Sequence, residues 1–239
     1  MLKNYLQGGL DMSRWIQDAG HGGSDPGAVC YGQAEKDWAL EAALYVNKRL
    51  KELRISSSIT RNTDVSLSRQ ERTSKVKKYD KCISHHFNAG GGAGTEFIHS
   101  IYANGRFEKL LSNEFDKAGY RVRRTYTRRY PNQKDRDYYY MHRETGSCRT
   151  TIVEYDFLDG ANRQKLKNKD YRVGMYECVV KAICREEGVT YNLRKNGISH
   201  SESLYRVIAG SFKNMDNAKK RVKELKGAGF TAFIERNES

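Results

Sequence analysis

The sequence has 239 residues, 30% of them charged, and a mean hydropathy of −0.82, so we expect one well-cored domain with a polar surface and a small module. No apolar run reaches the roughly 18 residues of a membrane-spanning helix, and the N-terminal stretch lacks the basic and apolar regions of a signal peptide. We therefore expect synthesis in the cytoplasm and no membrane insertion. The formal net charge of +14 favours a polyanionic partner, either nucleic acid, an anionic membrane surface or an anionic wall polymer.

Strand-like and helix-like segments alternate from residue 13 to residue 188. The predicted strands are 13–19, 55–60, 81–86, 95–102 and 150–158. The predicted helices are 34–53, 66–78, 105–118 and 161–188. This alternation predicts an α/β fold, a three-layer domain with a mostly parallel central sheet flanked by helices. We expect the five cysteines, an odd number without a C-x-x-C pair, to be reduced thiols packed mostly in its core.

The C-terminal residues follow a separate pattern. Residues 189–203 are polar and aperiodic, which predicts a linker between a first domain, 1–188, and a module, 204–239. In the module, a helix over 214–229 lies between two short strands and completes a βαβ unit of α+β type. Because a unit of roughly 35 residues cannot bury both of its faces, we expect it to pack on the first domain or on a second copy of itself.

One glycine-rich stretch, "AGHGGSDPGAVCYGQAEKD" (19–37), places His21 in a loop and Glu35 at the head of a predicted helix. It matches neither phosphate-binding glycine pattern, and an Asp and a Pro stand where backbone amides would face an anion. A catalytic zinc site needs three His or carboxylate ligands and leaves one position for water. His21, Glu35 and one of His85 and His86 supply such a set, with a turn-rich connector as the alternative.

The candidate residues also come from one edge of the predicted sheet. His21 follows the first strand, and His85 and His86 close the third. Glu154 lies near the end of the last strand. Since open parallel sheets carry their functional groups at the carboxyl ends of the strands, we expect these side chains to lie close together.

Five stretches of the sequence resemble the successive motifs of a known family. They are "DAGHGGSDPGA", "AEKDWAL", "TRNTDVSLSRQERT", "SHHFNAG" and "TTIVEYDFL". In this order they resemble the zinc-dependent N-acetylmuramoyl-L-alanine amidases of the amidase-3 type, which are cell-wall hydrolases of bacteria and phage lysins. Ala19 stands where the family usually has Pro, and Asp156 where it often has Gly, but neither difference removes a ligand.

The resemblance implies one Zn²⁺ ion bound by His21, Glu35 and His86. It implies Glu154 as the catalytic glutamate, which takes a proton from water activated by zinc and returns it to the leaving amine. His85 replaces an apolar residue of the family pattern, and strand alternation points it away from His86.

Three further polar residues keep alternative interpretations. Arg61 and Arg72 either fix the fold or bind substrate. His142 supports the site, donates to an oxyanion, or lies outside it.

The implied function is hydrolysis of the amide bond between N-acetylmuramic acid and L-alanine of peptidoglycan, by a phage endolysin or a lytic bacterial autolysin. Such an enzyme without a signal peptide would reach the wall with the help of a holin or through lysis. The alternative is a non-catalytic basic protein on an amidase-like scaffold that binds cell wall or nucleic acid.

Two regions point to partners. Residues 119–136 carry seven Lys and Arg interleaved with three Tyr, a pattern that alone suggests nucleic acid. Beside an amidase fold, we expect this segment to meet sugar rings and anionic wall polymers, with a solvated basic loop as the alternative. Residues 204–235 resemble half of a SPOR domain, a peptidoglycan-binding module, which implies that two chains complete one module in a homodimer.

Overall fold

The computed structural model describes residues 12–192, 212, 214–228 and 234. The chain divides into two compact units, residues 1–192 and 193–239. Within the described residues, no helix combines the length and the apolar content that crossing a membrane requires.

Residues 12–192 of the first unit form a six-stranded sheet, two small hairpins and six helices. The strands are β1 (Trp15–Ala19), β2 (Val29–Cys30), β3 (Gln33–Ala34), β4 (Ser57–Ile59), β5 (Lys81–Asn88), β6 (Thr95–His99), β7 (Val122–Tyr126), β8 (Arg129–Tyr130), β9 (Gln133–Asp137) and β10 (Arg149–Phe157). The helices are α1 (Glu35–Glu52), α2 (Arg69–Val76), α3 (Arg106–Lys117), α4 (Tyr140–Arg143), α5 (Arg163–Lys167) and α6 (Lys169–Glu186).

The strands of the large sheet are arranged in the order β4-β1-β5-β10-β6-β7. Strand β6 runs antiparallel to β10, and every other neighbouring pair is parallel. The prediction of a mostly parallel sheet is confirmed. The strands β2 and β3 form one hairpin, and β8 and β9 form the other.

Both faces of the sheet are buried, and adjacent residues of a strand enter opposite faces. One core combines strand residues with side chains from α1, α3 and α6: Trp15, Ile83, Phe97, Val153, Val46, Leu111 and Val179 belong to it. The other core combines the alternate strand residues with side chains from α2 and α4: Ile16, Cys82, Ile98, Ile152, Val76 and Met141 belong to it. The predicted three-layer α/β fold is therefore confirmed. All five cysteines are free, and four of them are buried.

One predicted element and one alternative interpretation differ from the structure. The predicted helix 161–188 is divided into α5 and α6 because Asn168 has an extended backbone, with ψ of 120°, and its side chain accepts a hydrogen bond from the amide of Asp170 to start α6. The basic segment 119–136 is not a loop, since it contains β7 and the β8–β9 hairpin. Val122–Tyr126 pairs with β6 along the edge that β10 does not occupy. A sequence pattern dominated by arginine does not predict this strand.

The second unit is described chiefly by one helix, α7 (Met215–Gly227), which Asn214 caps by accepting from the amide of Asp216. None of its residues is buried. The two strands predicted beside it lie outside the described residues except for residues 212 and 234. The predicted domain boundaries stay a prediction.

Candidate active site

One imidazole and two carboxylate side chains form a row across three neighbouring strands. His86 of β5 is the register partner of Glu154 of β10, and Glu154 is the partner of Glu96 of β6. Residues directly opposite each other in a sheet project from the same face. His85 projects from the other face, as the alternation predicts, where its ring nitrogens lie 2.9 Å from the Tyr155 hydroxyl and 3.1 Å from Gln17 Oε1.

His21 enters the same region from the loop that follows β1. Its φ of 57° is left-handed, which is uncommon for a residue with a side chain and marks a backbone held in place by its surroundings. A bridge between Gly22 and Asp25 closes the turn behind it. The Asp25 carboxylate lies 2.8 Å from Nδ1 of His21, so it accepts the proton of that nitrogen and leaves Nε2 directed toward Glu35 at 3.1 Å.

Glu35 joins the two histidines. One carboxylate oxygen lies 2.8 Å from Nδ1 of His86 and accepts from the Phe87 amide, and the other faces His21 and accepts from the Ala28 amide. Burial raises the pKa of this carboxyl, but hydrogen bonds and charge interactions with the two imidazoles outweigh it and hold the pKa well below its usual range. Glu35 is therefore an anion at the first residue of α1, where the helix dipole also favours negative charge.

The ligand atoms of His21, Glu35 and His86 all lie within 4.8 Å of one another. Two imidazole nitrogens and one carboxylate oxygen are the donor types that zinc takes in catalytic sites. The space is kept open by Gly27, which has a φ of 67°: a Cβ there would lie 2.6 Å from a Glu35 oxygen and 2.7 Å from the His21 ring. The donor set and its glycine-lined surroundings fit a zinc ion.

Arg61 ties together the two segments that carry His21 and Glu35. Its Nη2 donates to the carbonyl oxygens of Gly20 and Lys36, both at 2.9 Å, and these residues directly adjoin His21 and Glu35 in the sequence. Nε and Nη1 donate to two further carbonyls, and only 3% of the residue is exposed. Of the two roles left open for Arg61, the contacts favour fixing the fold.

Arg72 lies behind His86 in a buried ion pair with Asp18. Arg72 donates to both carboxylate oxygens, and the Ser84 hydroxyl donates to one of them at 2.7 Å. Nη2 of Arg72 is also 3.4 Å from Nε2 of His86. The pair therefore supports the side of the imidazole that faces away from Glu35.

Glu154 has the features of a proton-transfer group. Its Oε2 is buried and has no hydrogen-bond partner among the described residues, although the residue as a whole is partly exposed. Burial, followed by the nearby carboxylates of Glu35 and Glu96, raises the pKa of Glu154 well above its usual range. A partly exposed carboxyl group whose pKa is raised by burial is suited to general acid–base work.

His142 is not part of this cluster. Its side chain is 1% exposed, packs against the ring of Tyr139, and lies 3.9 Å from the carboxylate of Asp137. Burial lowers the pKa of His142 to about 4, so its ring is neutral at pH 7. It supports α4 and β9.

Sequence reasoning missed five residues around the candidate site: Asp18, Asp25, Glu96, Arg123 and Arg124. Asp25 was visible only as a residue that opposes a phosphate loop. Asp18 acts through its ion pair with Arg72. Glu96, Arg123 and Arg124 act through strand register, which no local pattern in the sequence specifies. Asp156, noted as a departure from the family pattern, is buried and accepts from the amides of Gly94 and Phe157, so it anchors the glycine-rich loop after β5.

The chain is similar to known proteins over most of its length. Residues 16–185 match the N-acetylmuramoyl-L-alanine amidase family, and residues 201–239 match the SPOR domain. N-acetylmuramoyl-L-alanine amidase CwlM of Bacillus licheniformis is 28% identical over 231 residues, which cover 91% of this chain and 82% of CwlM. The sporulation-specific N-acetylmuramoyl-L-alanine amidase of Bacillus subtilis is 26% identical over 227 residues, with the same two coverages.

The fold is also similar to that of a solved amidase structure. The catalytic domain of CwlV, an N-acetylmuramoyl-L-alanine amidase from Bacillus (Paenibacillus) polymyxa var. colistinus, is 25% identical and matches with a TM-score of 0.65. The match covers 75% of this chain and 100% of that domain. The similarity thus extends from the sequence motifs to the fold.

Proposed function

The chain belongs to the N-acetylmuramoyl-L-alanine amidase family, and we propose that its catalysis uses one Zn²⁺ ion held by His21, Glu35 and His86, with Glu154 as the general base. As a member of this family it hydrolyses the amide bond between N-acetylmuramic acid and L-alanine of peptidoglycan, and it acts on the cell wall. The observation that most supports the zinc site is the convergence of the three ligand atoms to within 4.8 Å of one another.

Neighbouring carboxylates orient the two histidine ligands. Asp25 accepts the Nδ1 proton of His21 and so presents the lone pair of Nε2. Nδ1 of His86 faces Oε1 of Glu35 at 2.8 Å. A bound zinc ion supplies a Lewis acid that acidifies water and polarises the scissile carbonyl.

Glu154 performs the proton transfers. Its carboxylate accepts a proton from the attacking water, and the raised pKa favours holding that proton until the amine leaves. The same group then protonates the leaving nitrogen of L-alanine. Because Glu154 and His86 are opposite each other in neighbouring strands, the base lies beside the ligand cluster without using any ligand atom.

The C-terminal module is the second part of the proposal. Residues 201–239 match the SPOR domain, so we assign them to peptidoglycan binding, with anionic wall polymers as further contacts of the basic surface. The helix α7 has no buried residue and carries half-exposed Ala218, Val222 and Leu225 on one face. Among the described residues, this apolar face is only partly covered, which supports completion of the module by a second chain. Sedimentation equilibrium should give a dimer, and a monomer with a folded module would contradict this.

The zinc proposal is tested on purified cell walls. We expect release of free amines together with a fall in turbidity, loss of both with a chelator, and recovery with added Zn²⁺. Metal content of the purified protein and the mass of the released product identify the ion and the bond. Hydrolysis that survives both chelation and Glu154→Ala would overturn the mechanism, and equal affinity for DNA and walls at physiological salt would favour the nucleic-acid alternative.

A further inference from the structure

Two consecutive arginines reach one buried carboxylate at the end of the row of site residues. Glu96 is fully buried, and its Oε1 accepts from Nη1 of Arg123 and, at 3.0 Å, from Nε of Arg124. Nη2 of Arg124 reaches Oε2 at 3.3 Å. One carboxylate thus faces two guanidinium groups, which leaves one net positive charge at this point.

A β-bulge produces this arrangement. The register of β6 and β7 pairs Thr95 with Val122 but Glu96 with Arg124, so Arg123 is the extra residue. In a regular strand, adjacent side chains project from opposite faces. The bulge redirects Arg123 so that both arginines approach Glu96, and bulges often redirect side chains in this way beside active sites.

Both guanidinium groups are held by aromatic rings and remain accessible. The Arg124 guanidinium lies 4.1 Å from the ring centroid of Tyr126, and that of Arg123 lies 5.2 Å from the ring of Phe157. Their side chains are 50% and 40% exposed. In the described part of the chain, no hydrogen bond occupies Nη1 of Arg124 or Nη2 of Arg123. These donors are therefore oriented in advance and free to bind an oxyanion.

The position of the pair selects the oxyanion. Arg124 continues the row His86–Glu154–Glu96, so it lies two strands from Glu154. Strands are about 4.8 Å apart, which puts the two Cα atoms roughly 10 Å apart, the span of about three residues of extended peptide. A substrate whose scissile bond lies at Glu154 can therefore place a nearby acidic residue against the pair.

We propose that Arg123 and Arg124 form a subsite for a carboxylate of the stem peptide, within about three residues of the scissile bond. This rests on the proposed function, because the distance is counted from Glu154. Glu96 anchors the two guanidinium groups, and the charge that Glu96 does not balance binds the substrate carboxylate. The subsite makes the enzyme prefer stem peptides whose acidic residue is free over those in which it is amidated.

The test uses two soluble muropeptide fragments that differ only in a free carboxylate or a carboxamide on the acidic residue. We expect the native enzyme to prefer the carboxylate by roughly tenfold in kcat/KM, as hydrogen bonds to charged groups allow. Arg123→Gln and Arg124→Gln should each lower this ratio, and the double variant should bring it close to one. Arg128→Gln is the matched control, since this exposed arginine stacks on Tyr138 and does not touch Glu96. An unchanged ratio in the double variant overturns the subsite.

Two further measurements separate the possible failures. Calorimetric binding of the same fragments to chelator-treated protein gives the preference without turnover. Chelator-sensitive hydrolysis of both fragments with no effect of the arginines on the ratio refutes the subsite alone. Binding preference without any hydrolysis refutes the proposed function alone.

A phosphate polymer of the wall is the competing source of an oxyanion. Binding is therefore compared on intact walls and on walls stripped of phosphate polymers, with inorganic phosphate as a competitor. If the arginine variants lose affinity only for polymer-bearing walls and keep the native preference for the carboxylate fragment, the pair binds the polymer and the proposal is wrong.

Discussion

Gly20 and His86 are matched in shape, because a Cβ atom on Gly20 would lie 2.4 Å from Cε1 and 2.7 Å from Nδ1 of His86. The carbonyl oxygen of His85 lies 2.7 Å from the same position, so the new atom would also press on backbone. The imidazole of His86 can reach Glu35 only because residue 20 has no side chain.

Gly20→Ala should therefore lower zinc affinity strongly, with only a moderate loss in the free energy of unfolding. Overpacking a well-filled site costs about 1–3 kcal/mol, whereas displacement of the imidazole removes one of three ligands. We expect a drop in zinc affinity of more than tenfold, measured by competition with a chelator. Gly174→Ala is the control. Its Cβ would lie 2.0 Å from the Tyr120 hydroxyl, so it also overpacks the protein, but in α6 and not against a candidate ligand. Equal zinc affinity in both variants would contradict this account.

Glu154→Gln should abolish most of the activity while zinc binding is retained. General acid–base catalysis contributes about 10²- to 10⁴-fold, so we expect a loss of that size in kcat. Because the Glu154 carboxyl has a buried oxygen without a partner among the described residues, its neutral replacement should leave the free energy of unfolding at pH 7 equal or higher. Glu144→Gln, in an exposed pair with Arg69, is the control that should keep native kinetics on soluble fragments. Less bound zinc in the Glu154→Gln variant would instead indicate a role in holding the ligands.

Arg61→Lys should lower zinc affinity although the charge is kept. Lysine has one nitrogen and cannot bridge the carbonyls of Gly20 and Lys36 while also reaching two others. Loss of such support for metal ligands typically lowers affinity about 10- to 100-fold. The absorption spectrum of the Co²⁺-substituted protein should change as the ligand geometry relaxes.

Arg172→Lys provides the comparison for Arg61→Lys. Arg172 is also buried, pairs with Glu41, and donates to the Leu166 carbonyl, but it touches no candidate ligand. Both variants should lose stability in urea unfolding, and only Arg61→Lys should lose zinc affinity. A parallel loss of zinc in both would assign Arg61 to general stability.

Much of the fold could be predicted because local signals agree with it. Strand β5 begins at the predicted residue 81, and α1 begins one residue after the predicted start. The capping box of Ser68 and Glu71 starts α2 within the predicted helix 66–78. The antiparallel direction of β6 could not be predicted, since it depends on pairing with β10, some fifty residues later in the chain.

The candidate site could likewise be predicted only in part from the sequence. His21, Glu35, His86 and Glu154 are in motifs that the sequence displays, and the structure brings all four to one edge of the sheet. Glu96 was hidden inside an ordinary strand pattern, and Arg123 looked like any other residue of a basic run. Their significance comes from register and from one bulge, which are set by contacts between segments distant in sequence.

Asp18→Asn should reveal the energetic value of the buried pair behind His86. Burial raises the pKa of Asp18, but the Arg72 guanidinium and the Ser84 hydroxyl outweigh it and hold the pKa at about 2. A lowered pKa adds stability above the unfolded value of 3.8 that is lost as the pH falls toward 2. The variant leaves Arg72 buried without its partner, at a cost of about 3–5 kcal/mol at pH 7. In urea unfolding, the difference in the free energy of unfolding between the native protein and the variant should shrink by about 1 kcal/mol from pH 5 to pH 3.

The exposed pair of Arg14 and Asp80 is the control, and Asp80→Asn should cost far less stability. A pH-independent difference for Asp18→Asn would show that the carboxylate's charge is not what stabilises this layer.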